Sequence, residues 1–259
     1  VGTVTKPGLP TAPGEPAINP IPRQMITQAI RENAAAHGTA RDLIIEISIP
    51  GGQELAEKTW NPRLGIVGGL SILGTTGIVT PYYCSAWINA IHSGVEVARA
   101  GNYGLIGAAT GKTSERALRQ AFDLSDTALI DMGDFAGGLL KYLRRHPVPS
   151  LVIAGGFAKM TKLAQGFLDL HSGRSAVDFT WLASRLENLG ADPAVLARTV
   201  SANTAHEVLD IAGALAPQLA DEVAMAARAT ALGVLANAPV CVTVLVVDRQ
   251  SNIIARANG

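Results

Sequence analysis

The sequence predicts an α/β protein, a mainly parallel sheet flanked by helices, with a smaller α+β N-terminal domain ahead of it. Three observations carry that prediction. From residue 64 onward, short runs of β-formers alternate with glycine-bearing turns and stretches of helical periodicity, the order that builds strand–helix–strand units. Residues 1–60 differ in texture, with a proline-punctuated loop, one helical pattern and one alternating run, so the chain divides into domains at 1–60 and 61–259. The composition, 48% hydrophobic and 16% charged over 259 residues, supports a full core and excludes a largely disordered chain.

Taken in order, Val1 to Thr5 reads as a short strand. The loop that follows carries Pro7, Pro10, Pro13, Pro16, Pro20 and Pro22, which forbid helix and central strand and leave a stiff, ordered segment presenting Glu15, Asn19 and Arg23. Gln24 to His37 has helical spacing and ends at Gly38. Asp42 to Ile49 alternates Leu43, Ile45, Ile47 and Ile49 against Ile44, Glu46 and Ser48, which predicts a strand, and Gln53 to Thr59 a short helix.

The stretch Asn61 to Gly77 is the part of the chain that the rest is expected to serve. An apolar run, Leu64 to Val67, precedes Gly68-Gly69, and a second run precedes Gly74-Thr75-Thr76-Gly77. Strand followed by glycine turn brings backbone N–H groups to a ligand at the carboxyl edge of a sheet, although adjacent Gly68 and Gly69 do not fit the dinucleotide fingerprint. A tight turn with no ligand explains the same glycines equally well.

Beyond it the pattern predicts a helix over Thr80–Arg99, a strand over Gly104–Ala109, a helix over Ser114–Phe122, a strand over Ala128–Met132 and a helix over Phe135–Arg145. A strand over Ser150–Ala154, a helix over Phe157–Leu170, a mostly helical span to Leu235, a buried strand over Val240–Val247 and an edge partner over Ile253–Ala257 complete it. Four strand ends terminate in small or polar residues: Gly68-Gly69, Thr110 to Thr113, Asp131 to Asp134, and Gly155-Gly156. In a parallel sheet all four line one crevice.

Within these turns, Asp131 and Asp134 with Gly133 suit an adenosine-bearing cofactor, since an acid after a strand accepts hydrogen bonds from ribose hydroxyls. Asp134 as a mere helix cap is an equal alternative. Lys159 and Lys162, at a helix start where the dipole does not favour them, are candidates for an acidic ligand, whereas Lys141, Arg144 and Arg145 sit where a helix end favours cations anyway. The segment Gly107 to Glu115 is no phosphate-binding P-loop, because only three residues separate Gly107 from Gly111. Its N–H groups remain suited to a carboxylate or ribose oxygen.

Several classes are excluded or weakened. Lysine plus arginine equals aspartate plus glutamate, 21 each, so no global field argues for nucleic acid. Cys84 and Cys241 have no CxxC partner and read as free thiols of a cytoplasmic protein. Arg228, Asn237 and Pro239 break the most hydrophobic region, which excludes a membrane span there. The five histidines show no metal-ligand spacing, and no nucleophile elbow is present, so neither a protein-bound metal nor nucleophilic catalysis is expected.

The strings PGLPTAPGEPAINPIPR, NPRLGIVGGLSILGTTGIV, IDMGDFAGGLLKYLRRHP and IAGGFAKMTKLAQGFLDLHS closely resemble the CbiD family, the cobalt-precorrin-5B C1-methyltransferases of cobalamin biosynthesis. The resemblance runs from Val1 to the C-terminus. It implies S-adenosyl-L-methionine as methyl donor, a cobalt-containing corrinoid precursor as acceptor methylated at ring carbon C-1, and a two-domain protein. The cofactor is then expected at Gly68, Gly69, Gly74, Thr75, Thr76, Gly77, Asp131, Gly133 and Asp134. The substrate's carboxylates are expected at Arg23, Arg63, Lys159 and Lys162, with Glu15 and Asn19 beside them. The sequence departs from the family in two places. It carries no threonine- and glycine-rich segment ahead of Val1, so the first domain is expected to be incomplete, and it has Thr80-Pro81-Tyr82-Tyr83-Cys84 where many members have an acid followed by Pro-Met-Ser. A non-catalytic tetrapyrrole carrier of the same pathway is the alternative reading.

Overall fold

The computed structural model describes residues 1–40, 42–73 and 84–258, and these form two compact units, Val1–Asn102 and Tyr103–Gly259. Residues 61–73 and 84–102 therefore group with the N-terminal segment, whereas their sequence pattern assigned them to the second domain.

The first unit is built on a two-residue antiparallel ribbon, β1 (Thr3–Val4) against β2 (Ile66–Val67). The proline-rich loop folds back on β1, with the Val4 N–H donating to Glu15 O (3.0 Å) and the Ala17 N–H to Gly2 O (2.7 Å). Val4, Ala17, Leu64, Ile66 and Val97 form the core here, flanked by Leu9 and Trp60. Gly2 and Gly69 lie so close that a Cβ on Gly69 would stand 2.7 Å from Gly2 N. Helix α1 (Pro20–His37) begins four residues earlier than its apolar spacing predicts. Pro20 and Pro22 fall in its first turn, where a missing N–H breaks no hydrogen bond, so they start the helix instead of forbidding it. Short α2 (Gly52–Ala56) and long α3 (Cys84–Ala100) complete the unit.

The predicted strand over Asp42–Ile49 is not formed. No described strand pairs with it, and Ile44 is wholly exposed. Alternation supplies a face but not a ladder, and an unpaired strand gains nothing to offset its ordering.

The second unit carries a five-stranded sheet in the order β4-β3-β5-β6-β7. Its strands are β3 (Leu105–Ala109), β4 (Leu129–Asp131), β5 (Ser150–Gly156), β6 (Cys241–Val247) and β7 (Ile253–Ala257). The first four run parallel and β7 is an antiparallel edge. Near-continuous apolar runs in β5 and β6 reflect burial on both faces. On one face α4 (Lys112–Ala121) inserts Leu118 among Ala109, Leu129, Val152, Ala154 and Leu245. Long α10 (Ala216–Leu235) packs against β6, β7, α5 (Ala136–Leu143) and α6 (Phe157–Ala164). Helices α7 (Phe179–Asn188), α8 (Pro193–Val200) and α9 (Ala205–Ala212) pack beside one another, and α9 also touches α6 and α10.

Candidate functional site

Strand order decides where this unit can hold a ligand. The chain forms β3 first, places β4 on one side of it, then crosses back to place β5 on the other, so the order reverses between β3 and β5. The loops leaving those strands therefore diverge, one toward α4 and one toward α6, and open a crevice at their carboxyl ends. A cleft of about 370 Å³ lies there, within the size range of small-molecule sites. Its walls are Thr110 to Ser114 after β3, Gly156 to Lys159 after β5, and Val247 to Arg249 after β6, with His206, Leu209 and Ile254 closing the outer side.

Both helices entering the cleft start without a side-chain cap, α4 after Gly111 and α6 after Gly156. Their first-turn N–H groups have no intrahelical acceptor and form the positive end of the helix dipole. The hydroxyl of Ser114, a buried residue, accepts from the Thr110 N–H (3.1 Å) and donates to Gly111 O (2.9 Å), which fixes the loop. Gly111, at φ +155°, holds a backbone shape open to glycine.

Lys159 ties the cleft to the neighbouring turn. Its Nζ donates to Thr110 O (2.9 Å) and pairs with Asp134 Oδ1 (2.9 Å). The turn carrying Asp134 follows β4 and is sewn to β3 by N–H groups of Met132 and Gly133, both donating to Ala109 O. Across the cleft, Asp248 holds the β6–β7 turn, its Oδ1 accepting from the N–H groups of Gln250 and Asn252 (2.8 Å each) and its Oδ2 from Asn252 Nδ2 (2.8 Å). Desolvation pushes this carboxyl's pKa up, but the hydrogen bonds from the Asn252 side chain and from the backbone of Asn252, Gln250 and Ser251 outweigh it and hold the pKa below the ordinary carboxylate value.

The predicted site residues separate into groups. Asp131, Gly133 and Asp134 lie on the parallel edge, and Asp134 and Lys159 are brought together there. Lys162 is not available to a ligand: it is 7% exposed, and its Nζ donates to Leu170 O (3.0 Å). Gly68 and Gly69 follow an antiparallel ribbon of the first unit, so the common-edge argument does not reach them. The buried Asn61 donates to Gly69 O (3.1 Å), pinning this turn. Gly74, Thr75, Thr76 and Gly77 lie outside the described residues. Glu15 and Arg23 pair with each other at 3.0 Å, and Arg23 also donates to Ile18 O and Pro16 O, clamping the proline loop. The Asn19 N–H donates to Ile72 O (3.0 Å), and the Arg63 guanidinium stands 5.7 Å from the centre of the Trp60 ring.

Sequence reasoning passed over His206, Asp248 and Arg249 because no spacing motif marks them. The signal was present in part: Val240–Val247 was legible as a buried strand, so its end belonged on the same edge as the others.

Among the described residues no group of three or more His, Cys, Asp or Glu is placed to hold a metal, and no helix is long and apolar enough to cross a membrane.

Comparison with known proteins finds relatives along the length of the chain. Residues 1–81 match the CbiD family and residues 169–258 match the CbiD C-terminal domain. The cobalt-precorrin-5B C(1)-methyltransferase of Paramagnetospirillum magneticum is 57% identical over 258 residues, covering 100% of this chain and 72% of that protein. The Bradyrhizobium sp. protein of the same name is 58% identical over 259 residues (100% of this chain, 69% of that one), and the Brucella anthropi protein 55% over 256 (99% and 70%). A crystal structure of a cobalamin biosynthesis protein, cbiD, from Archaeoglobus fulgidus matches at 25% identity and a TM-score of 0.27, covering 61% of this chain and 48% of that one. Matched by the family's domains toward both ends, and along its length by relatives more than half identical to it, the chain belongs to the CbiD family.

Proposed function

We propose that this chain methylates cobalt-precorrin-5B at ring carbon C-1 in cobalamin biosynthesis, using S-adenosyl-L-methionine, and that the donor occupies the cleft between the ends of β3 and β5. The observation that supports this placement is the convergence of uncapped first turns of α4 and α6 on one crevice, in a chain 55–58% identical to the three methyltransferases above.

The residues fit the donor's chemistry. N–H groups of Lys112 to Ser114 and of Phe157 to Lys159 suit a carboxylate or ribose oxygen, the Thr113 hydroxyl adds a further partner, and Leu209, Val247 and Ile254 offer apolar surface to a base. Asp131, Gly133 and Asp134 stay in the reading as the neighbouring polar turn. S-adenosyl-L-methionine supplies an electrophilic methyl group on a positively charged sulfur. The protein's task is therefore alignment and exclusion of water, without a side-chain nucleophile. Lys159 serves that task while its own charge is neutralised by Asp134, so this wall is held rigid and Lys159 itself adds no unpaired charge to it. For the corrinoid, Arg63 of the first unit is kept as a carboxylate partner, whereas Arg23 and Lys162 are given structural roles.

Amide hydrogen exchange of the full chain with and without S-adenosylhomocysteine tests this reading. Protection is expected at residues 110–114 and 157–159. Protection confined to residues 1–102 would overturn the proposed cleft.

A further inference from the structure

The β6–β7 turn is braced more heavily than a hairpin at a sheet edge requires. Asp248 accepts three hydrogen bonds from Gln250 and Asn252, and the Asp248 N–H itself donates to Asn252 O (3.0 Å). From the other side, Arg116 of α4 donates through Nε to the hydroxyl of Ser251 (2.8 Å), a residue 2% exposed and held at φ +74°. Left-handed backbone at a non-glycine residue costs energy and persists only where its surroundings fix it. The residue this bracing displays is Arg249, which is exposed and lines the cleft.

Arg249 has no hydrogen-bond or ion-pair partner among the described residues. The carboxylate next to it in the chain, Asp248, is engaged by its own turn, and Asp134, which reaches the cleft through Lys159, is paired with that lysine. A guanidinium mounted on a fixed turn beside a cleft, with no internal carboxylate to meet it, is arranged for a carboxylate that arrives with a ligand. Its planar fork binds such a group through two parallel hydrogen bonds, which a lysine cannot reproduce.

We infer that Arg249, presented by the turn that Asp248 locks, fastens a ligand carboxylate in the switch-point cleft, with Asp248 as its positioning residue. The inference rests on the methyltransferase reading, in which two molecules bring carboxylates: the methionyl end of the donor and the periphery of the macrocycle.

Calorimetric titration of the full chain separates these sources, with S-adenosylhomocysteine and cobalt-precorrin-5B titrated singly into wild type, Arg249→Gln, Arg249→Lys and Asp248→Asn. Arg249→Gln is expected to weaken one ligand by about ten- to a hundredfold, the range for a charge-assisted hydrogen bond, and leave the other unchanged. Loss confined to S-adenosylhomocysteine assigns the donor carboxylate; loss confined to the corrinoid assigns the macrocycle. Arg249→Lys recovers part of the affinity, and Asp248→Asn weakens the same ligand and raises the KM of the corresponding substrate, S-adenosyl-L-methionine or cobalt-precorrin-5B, with kcat unchanged. Unchanged binding of both ligands in Arg249→Gln, or equal weakening of both, overturns the inference while leaving the methyltransferase reading intact. A wild-type chain that binds neither ligand overturns both. Arg249 is exposed and makes no hydrogen bond or ion pair among the described residues, so circular dichroism of Arg249→Gln is expected to match wild type.

Discussion

Lys159 Nζ lies 2.9 Å from Asp134 Oδ1 and 2.9 Å from Thr110 O, so one side chain joins three turns of the sheet's carboxyl edge. Replacing it leaves the Asp134 carboxylate and the Thr110 carbonyl without that partner. Lys159→Met is expected to cost about 1–2 kcal/mol in urea unfolding, a figure reduced for the partial exposure of both side chains. Adding Asp134→Asn should cost less than the sum of the single changes, and a strictly additive cycle would dissolve the pair as an energetic unit.

Lys162, two positions before the end of α6, is expected to act on stability alone. Lys162→Met keeps the volume but strips Leu170 O of a donor in a buried place, at about 1–3 kcal/mol. Titration with S-adenosylhomocysteine should give wild-type affinity at a temperature where the variant is folded, and a selective loss of affinity would return Lys162 to the ligand set.

Two adjacent glycines of β5 should behave oppositely. A Cβ at Gly155 would stand 2.5 Å from Met160 Cε and 3.0 Å from Thr110 Cγ2, so Gly155→Ala overpacks the wall and is expected to destabilise by about 1–3 kcal/mol. A Cβ at Gly156 meets nothing within 4 Å, and its φ of −65° suits any residue. Gly156→Ala should leave stability within about 0.5 kcal/mol, yet it puts a methyl group into the cleft and lowers donor affinity. Unchanged affinity would argue that no ligand reaches that strand end.

Acid should release the β6–β7 turn. Because the folded pKa of Asp248 is depressed, its contribution is complete above the unfolded value of about 3.9 and is lost as pH falls through the folded value. Between pH 5 and 8 the turn stays locked. Melting curves should show Asp248→Asn with a shallower loss of Tm below about pH 4 than wild type. Identical acid profiles would deny the carboxylate this role.

What the sequence disclosed follows from what is local. Continuous apolar runs at Leu105–Ala109, Ser150–Gly156 and Cys241–Val247 announced the parallel sheet, and the glycines and acids at their ends marked the edge where the donor is proposed to bind. Leu64 to Val67 gives the same local signal, but its partner is Thr3–Val4, more than sixty residues away, and nothing near Ile66 specifies that pairing. Asp42 to Ile49 shows the converse, a strand pattern with no strand among the described residues to pair with. The roles of Lys159 and Lys162 were open for a related reason: three apart on one helix, they differ only in meeting Asp134 or the Leu170 carbonyl, contacts that tertiary packing decides.

The proposed reaction is tested most directly by transfer of an isotopically labelled methyl group from S-adenosyl-L-methionine to cobalt-precorrin-5B by the full chain, with the product's labelled carbon assigned by NMR. One labelled methyl per macrocycle is expected, at ring carbon C-1. Tight binding of the corrinoid with no label transferred would contradict it and favour a carrier, and label on any other carbon would contradict the assigned reaction.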